Sequence, residues 1–162
     1  VALNTPGLTQ AFVGIFSTPS PVAAEVASKL ANAYTAYAQT GLFGVSAPVI
    51  TPANTSALYG PLFAAIATPL AGTPLNFGLA WAAGVAAFWS PVPVAGGSGA
   101  GVAIPPPGAA ALGSSIPAIV AVPLPSSVAA ATAIAAAVDV ATRTTTALLT
   151  IPTFPPVLWP IL

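Results

Sequence analysis

Pro21-Val22-Ala23-Ala24-Glu25-Val26-Ala27-Ser28-Lys29-Leu30-Ala31-Asn32-Ala33-Tyr34-Thr35-Ala36-Tyr37-Ala38-Gln39 is the stretch from which the fold is read. Val22, Val26, Leu30, Ala33, Tyr34 and Tyr37 recur at three- and four-residue spacing, which lines one face of an α-helix. Glu25, Ser28, Lys29, Asn32 and Gln39 fall on the other face. Glu25 precedes Lys29 by four residues, the better order for a helical ion pair. Ser20 suits the N-cap, Pro21 the first helical position, and Gly41 the position just past the end. A near-repeat lies far along the chain, where Pro125-Ser126-Ser127-Val128-Ala129-Ala130 echoes Pro19-Ser20-Pro21-Val22-Ala23-Ala24. There Asp139 and Arg143 form a second acid-then-base pair four apart. These two pairs are all the charge in the protein, which has two basic and two acidic residues and no histidine.

Charged residues are 2% of the 162 positions and hydrophobic residues 56%, with 20 Pro and 14 Gly. Typical globular domains are about 25% charged. Disorder is excluded, because it requires low hydrophobicity and high net charge. A free monomer of this composition would present water with an uncharged surface of Ala, Val, Pro, Ser and Thr, and such surfaces associate. Burial in an assembly or in lipid is therefore expected. The membrane reading stays open as the alternative, since no charge occurs between Lys29 and Asp139. Against it, a spanning helix needs about 20 consecutive apolar residues. Pro48, Pro52, Pro61, Pro69, Pro74, Pro91 and Pro93 cut the middle into shorter pieces, and no basic flank sets an orientation. Residues 1–16 carry no basic residue, unlike a retained signal peptide. Without Met at the start, removal of an initiator or cleavage of a longer leader are both allowed.

Residues 1–18 read as a lead-in with one or two helical turns in Leu8–Phe16. Helix follows over 21–39, then an irregular link to Ile50 anchored by Phe43 and Val45. Thr51-Pro52 starts a second helix to about Ala67, with a kink or break near Tyr59 ahead of Pro61. Thr73-Pro74 starts a third through Phe77, Leu79, Trp81, Val85, Phe88 and Trp89, apolar nearly all round and hence central. Gly96-Gly97-Ser98-Gly99-Ala100-Gly101 and Pro105-Pro106-Pro107 read as a flexible or tightly turned loop and a polyproline-like run. A turn of helix over Ala109–Leu112 and an extended Ile116–Val122 follow. The last helix spans Ser127 to about Thr142, and 143–151 reads as a strand or a fraying helix end. The expected fold is mainly α: a three- to four-helix body over 1–151, with a Pro/Gly-rich insertion at about 91–124. An extended arm over 152–162 completes it. That arm exposes Phe154, Leu158, Trp159 and Ile161 unless something covers them, and burying Trp159 alone contributes on the order of 2–3 kcal/mol. These four are the expected anchors of a contact with a neighbouring copy, the alternative being that the arm folds back to complete its own core.

The chemistry is sparse. Without His and Cys there is no thiolate or imidazole metal site, no triad and no disulfide, and no metal or cofactor is expected. Acid–base catalysis would fall to Glu25 or Asp139, each paired with a base one turn away, so a structural ion pair is the expected role of all four charged residues. The glycine run lacks the Lys-Ser/Thr of a phosphate loop. Two cations neutralise too few phosphates for nucleic-acid binding. Tyr34, Tyr37, Trp81, Phe88 and Trp89 are expected in a core or interface rather than around a ligand.

Ala80-Trp81-Ala82-Ala83-Gly84-Val85-Ala86-Ala87-Phe88-Trp89-Ser90-Pro91 and Ala135-Ala136-Ala137-Val138-Asp139-Val140-Ala141-Thr142-Arg143-Thr144 resemble stretches in small structural proteins of tailed bacteriophages. The layout of an Ala-rich helical body with a Pro-rich tail is similar to theirs as well. The resemblance implies a virion component. Composition and resemblance converge on a non-enzymatic subunit of a large assembly, a capsid, tail or extracellular filament. Its expected partners are copies of itself and other structural subunits. The alternatives are a membrane-associated protein and a module that binds a small apolar ligand between the aromatic side chains of the third helix.

Overall fold

In a computed structural model that describes residues 2–18, 20–68, 74–123, 125–152 and 154–162, the chain is a mixed α/β fold. The expectation of a mainly α body of three or four helices is overturned: six α-helices accompany a five-stranded antiparallel sheet among the described residues. Helices α1 (Thr5–Ser17) and α2 (Ala23–Ala38) lead into strand β1 (Ser46–Pro48). The hairpin of α3 (Pro52–Ala67) and α4 (Pro74–Phe88) is inserted before β2 (Val92–Gly96) and β3 (Gly99–Ile104). A short 3-10 turn (Pro107–Ala111), α5 (Leu112–Ala121) and α6 (Ser127–Thr142) precede β4 (Thr146–Ile151) and β5 (Phe154–Pro160). The strands lie in the sheet in their order along the chain.

The helices form for the reasons their sequences suggest, with shifted boundaries. Asn4 caps α1 by accepting a hydrogen bond from the Gly7 amide at 3.0 Å, so the lead-in is a full helix of 13 residues. Helix α2 starts at Ala23, two residues later than the Ser20-Pro21 signal implies. Ser20 instead accepts from the Val22 amide and donates to Glu25 at 2.7 Å. Helix α3 runs through Pro61 without interruption. Its N-terminal Asn54 is the hinge of the insertion: the side-chain oxygen accepts from the Thr51 amide and hydroxyl at 2.8 Å each, and the amide nitrogen donates to the Phe88 carbonyl at 2.9 Å. The start of α3 is thereby fastened to the end of α4. Thr73, the expected cap of α4, lies outside the described residues.

The insertion expected at 91–124 is built of regular structure. The glycine run is the corner of the β2–β3 hairpin, with Gly96 opposite Gly99 and positive φ at both (155° and 117°), a conformation glycine alone adopts freely. Gly101 lets β3 approach β4, since a Cβ there would lie 1.9 Å from the Leu148 carbonyl oxygen. Ile116 to Ala121 is helical rather than extended, with Pro117 inside α5. Gly78 of α4 makes room for that proline, its missing Cβ lying 2.6 Å from Pro117 Cδ. Within the stretch 143–151, Thr146–Ile151 is a strand.

One core joins helices and sheet. Phe12, Tyr34, Phe43, Trp81, Phe88 and Trp89 are fully buried, and their rings meet mostly edge to face, as between Tyr34 and Phe88 with centroids 4.9 Å apart. Val92, Val94, Ala103, Ala147 and Leu149 bring the inner face of the sheet onto this cluster. Helix α4 is central, as its all-round apolarity implies, although Leu79 points outward.

Candidate interaction surface

The four charged residues have two different fates. Glu25 and Lys29 pair on the exposed face of α2. Hydrogen bonds from Lys29 and Ser20, with the lysine charge, hold the Glu25 carboxyl below its ordinary range. Asp139 is only 8% exposed and saturated. One carboxylate oxygen accepts from the Tyr37 hydroxyl at 2.6 Å and the Thr5 hydroxyl at 2.7 Å, the other from Arg143 Nε at 2.8 Å. Arg143 Nη2 also donates to the Thr5 oxygen at 3.1 Å. This one side chain therefore ties α1, α2 and α6 together. Burial pushes its carboxyl up, but the hydrogen bonds from Arg143, Tyr37 and Thr5 and the guanidinium charge outweigh that and leave it below the ordinary range. Burial, and then the bond to Asp139, push the Tyr37 phenol far up. A carboxylate so stabilised is a poor proton acceptor, and among the described residues no three His, Cys, Asp or Glu side chains gather where they would hold a metal.

Tyr34, Tyr37, Trp81, Phe88 and Trp89 lie in the core, as expected of them. A directed relay crosses it: Trp89 Nε1 donates to the Tyr34 hydroxyl at 2.8 Å, Tyr34 to Thr142 at 2.9 Å, and Thr142 to the Val138 carbonyl at 2.8 Å. Hollows lie elsewhere. Between α2 and α3 a groove of about 430 Å³ is lined by neutral polar groups, among them Ser28, Asn32, Gln39 and Thr51. There the Thr35 and Thr55 hydroxyls bond each other at 2.8 Å. Between α5 and α6 an apolar hollow of about 320 Å³ is lined by Leu112, Ala136, Ala137 and Val140.

In the arm over 152–162, Phe154–Pro160 is extended, as its prolines require, and is the edge strand of the chain's own sheet. Its four expected anchors are not brought together. Ile161 is 3% exposed, its methyl placed where a Cβ on Gly41 would stand 2.5 Å away. Its amide donates to the Thr145 carbonyl at 3.0 Å, and Leu162 exchanges hydrogen bonds with Leu42. Trp159 packs half-buried against the core opposite Ala147. Phe154 and Leu158 are exposed.

Leu158 belongs to a larger feature that sequence reasoning missed. An antiparallel sheet with one face in the core normally turns polar residues to water. Here Val102, Leu148 and Leu158 stand opposite one another across β3, β4 and β5, and they are 49%, 44% and 58% exposed. Ile104 adjoins them on β3, 42% exposed. Towards β1 the same face is small and apolar, with Ala47, Ala95 and Ala100 in one row and Pro93 beside Val102. Three of the four charged residues are on helices and Arg143 is the C-cap of α6, so the outer face carries no charge, and its polar side chains on β4 are Thr146 and Thr150. The available signal was the pair of runs Val102-Ala103-Ile104 and Ala147-Leu148-Leu149, apolar on both faces of a strand.

No protein-family model matches the chain, and neither the curated proteins nor the solved structures contain a significant match to it.

Proposed function

We propose that this chain is a non-enzymatic structural subunit of a large self-assembling complex, held by apolar packing between subunits. A virion component of capsid or tail, or a filament subunit, is the assembly that the composition and the resemblance to phage structural proteins favour. The observation that carries the reading is the uncharged outer face of the sheet, where Val102, Ile104, Leu148 and Leu158 are exposed together, a surface of the kind that marks interaction sites. Nothing in the acid–base inventory competes with it, because one carboxylate is a surface ion pair and the other is consumed in holding three helices together. No helix among the described residues is long and apolar enough to cross a membrane, which weighs against the membrane alternative. The apolar hollow between α5 and α6 favours a second, lesser reading as an apolar-ligand module, and a side chain of a neighbouring subunit fits the same lining. Negative-stain microscopy and sedimentation velocity on material purified without detergent test the proposal. Ordered particles, filaments or discrete oligomers are expected. A single monomeric species at every attainable concentration would refute it.

A further inference from the structure

We infer that the groove between α2 and α3 is a binding site for a neutral saccharide. Two helices packed side by side ordinarily meet along apolar stripes and turn their polar side chains to water. Here Ser28, Asn32, Thr35 and Gln39 recur every three or four residues along α2 and its C-cap, and this polar stripe meets Thr55, Ser56 and Tyr59 of α3 across the groove. In a chain that is 56% hydrophobic, the hydroxyls and carboxamides of these helices are thus gathered into one cleft. Of their Ser, Thr, Asn and Gln side chains only Asn54 is used elsewhere, fastening α3 to the end of α4.

The lining selects by charge and by hydrogen bonding. None of the residues around the groove is charged, and the one ion pair of α2, Glu25–Lys29, is satisfied within itself. A phosphate, carboxylate or ammonium group would leave water there without a counter-charge. A sugar hydroxyl, in contrast, both donates and accepts, and needs neutral partners of both kinds. Thr35 donates to the Ala31 carbonyl at 2.9 Å, which makes Thr55 the donor in their mutual bond and leaves the Thr55 lone pairs to accept from a ligand. Asn32 Nδ2 donates to Ser28 Oγ at 3.3 Å, leaving the Ser28 hydroxyl as a donor and the Asn32 carboxamide oxygen as an acceptor. Among the described residues the side chains of Gln39, Ser56 and Tyr59 have no hydrogen-bond partner. The half-buried Tyr59 ring stacks on Phe63 with centroids 5.7 Å apart and an interplanar angle of 8°. It is a held, flat apolar surface of the kind on which the C–H face of a pyranose packs. The Thr35–Thr55 bond joins the two walls, so the site is formed before a ligand arrives. Its volume of about 430 Å³ lies within the range of small-molecule sites.

The groove is complete within one chain, so its test does not depend on assembly. Saturation-transfer difference NMR on the full chain reads binding directly, with maltose, cellobiose, lactose and N,N′-diacetylchitobiose as probes and glycerol and glucuronic acid as controls. At least one disaccharide is expected to bind in the millimolar range, and neither control. Asn32→Ala and Gln39→Ala, both at exposed positions, are expected to keep the helical circular dichroism and each to weaken that binding about five- to tenfold. Tyr59→Phe, which keeps the ring, should retain most of the binding that Tyr59→Ala loses. Should Tyr59→Ala misfold, the Asn32 and Gln39 variants decide. Saturation transfer to none of the disaccharides, equal transfer to glycerol, tighter binding of glucuronic acid, or unchanged affinity in folded Asn32→Ala and Gln39→Ala overturns the inference.

Discussion

Replacing Asp139 with alanine tests whether this carboxylate is the fastening of the helical body. The substitution strands the Tyr37 hydroxyl, on a residue 2% exposed, and a buried donor without a partner costs about 1–3 kcal/mol. It also removes the acceptor of Thr5 and Arg143. The Arg143 side chain is 43% exposed and can rehydrate, so the loss stays below the upper part of the 3–5 kcal/mol range typical of a broken buried pair. The expected destabilisation is about 2–4 kcal/mol at neutral pH, read as a lower urea midpoint with an unchanged slope. The pH dependence has a definite sign. The Asp139 carboxyl is depressed in the folded chain, so its contribution is present above the unfolded value of about 3.9 and disappears as pH falls through the folded value. With only two side-chain carboxylates and no histidine, and with Glu25 exposed, acid destabilisation reports chiefly on Asp139. Wild-type stability should be nearly flat from about pH 5 to 9 and fall below about pH 4, while the alanine variant shows little of that fall. Equal urea midpoints for the two proteins at neutral pH, or a wild-type stability that does not change on acidification, would refute the reasoning.

Trp89→Phe and Trp81→Phe remove similar volume from fully buried sites, but Trp89 Nε1 is bonded to Tyr34 whereas Trp81 Nε1 is buried without a partner. Denaturant titration should show the Trp89 variant the less stable by about 1–2 kcal/mol. Gly101→Ala drives a methyl into the Leu148 carbonyl and should cost more than about 3 kcal/mol or prevent folding. Gly14→Ala meets nothing within 4 Å on the exposed side of α1 and should raise the unfolding free energy by about 0.5–1 kcal/mol. Glu25→Gln should leave stability unmoved in the same assay. Truncation after Ile151 removes β5 and Ile161 and should abolish the cooperative transition. A stable, fully helical truncated chain would restore the arm to its role as a clasp between subunits.

What the sequence determined by itself is what short-range physics can set. The 3.6-residue apolar period placed helices at 21–39 and 127–142, Thr51-Pro52 marked the start of α3, and the unbroken apolarity of Phe77 to Trp89 marked the central helix. Its chemistry was equally legible, because missing His and Cys need no structure to interpret. Most of the sheet was not legible, although the β-branched run at 143–151 read as a possible strand and the last arm as extended. Its strands, Val92-Pro93-Val94-Ala95-Gly96 and Gly99-Ala100-Gly101-Val102-Ala103-Ile104, are rich in residues with weak strand preference. Proline and glycine there read as breakers until neighbouring strands supply the pairing. The alternation that normally announces a half-buried strand is also weak, since Val102, Ile104, Leu148 and Leu158 are exposed on the outer face, where Thr146 and Thr150 are the polar residues of β4. Only the tertiary structure could divide the two ion pairs. Four-residue spacing is the same for Glu25–Lys29 and Asp139–Arg143, but long-range packing brings Thr5 and Tyr37 to Asp139 across more than a hundred residues. Burial is a property of that packing, so the sequence could name the charged residues while the fold alone decided that one pair faces water and the other fastens three helices.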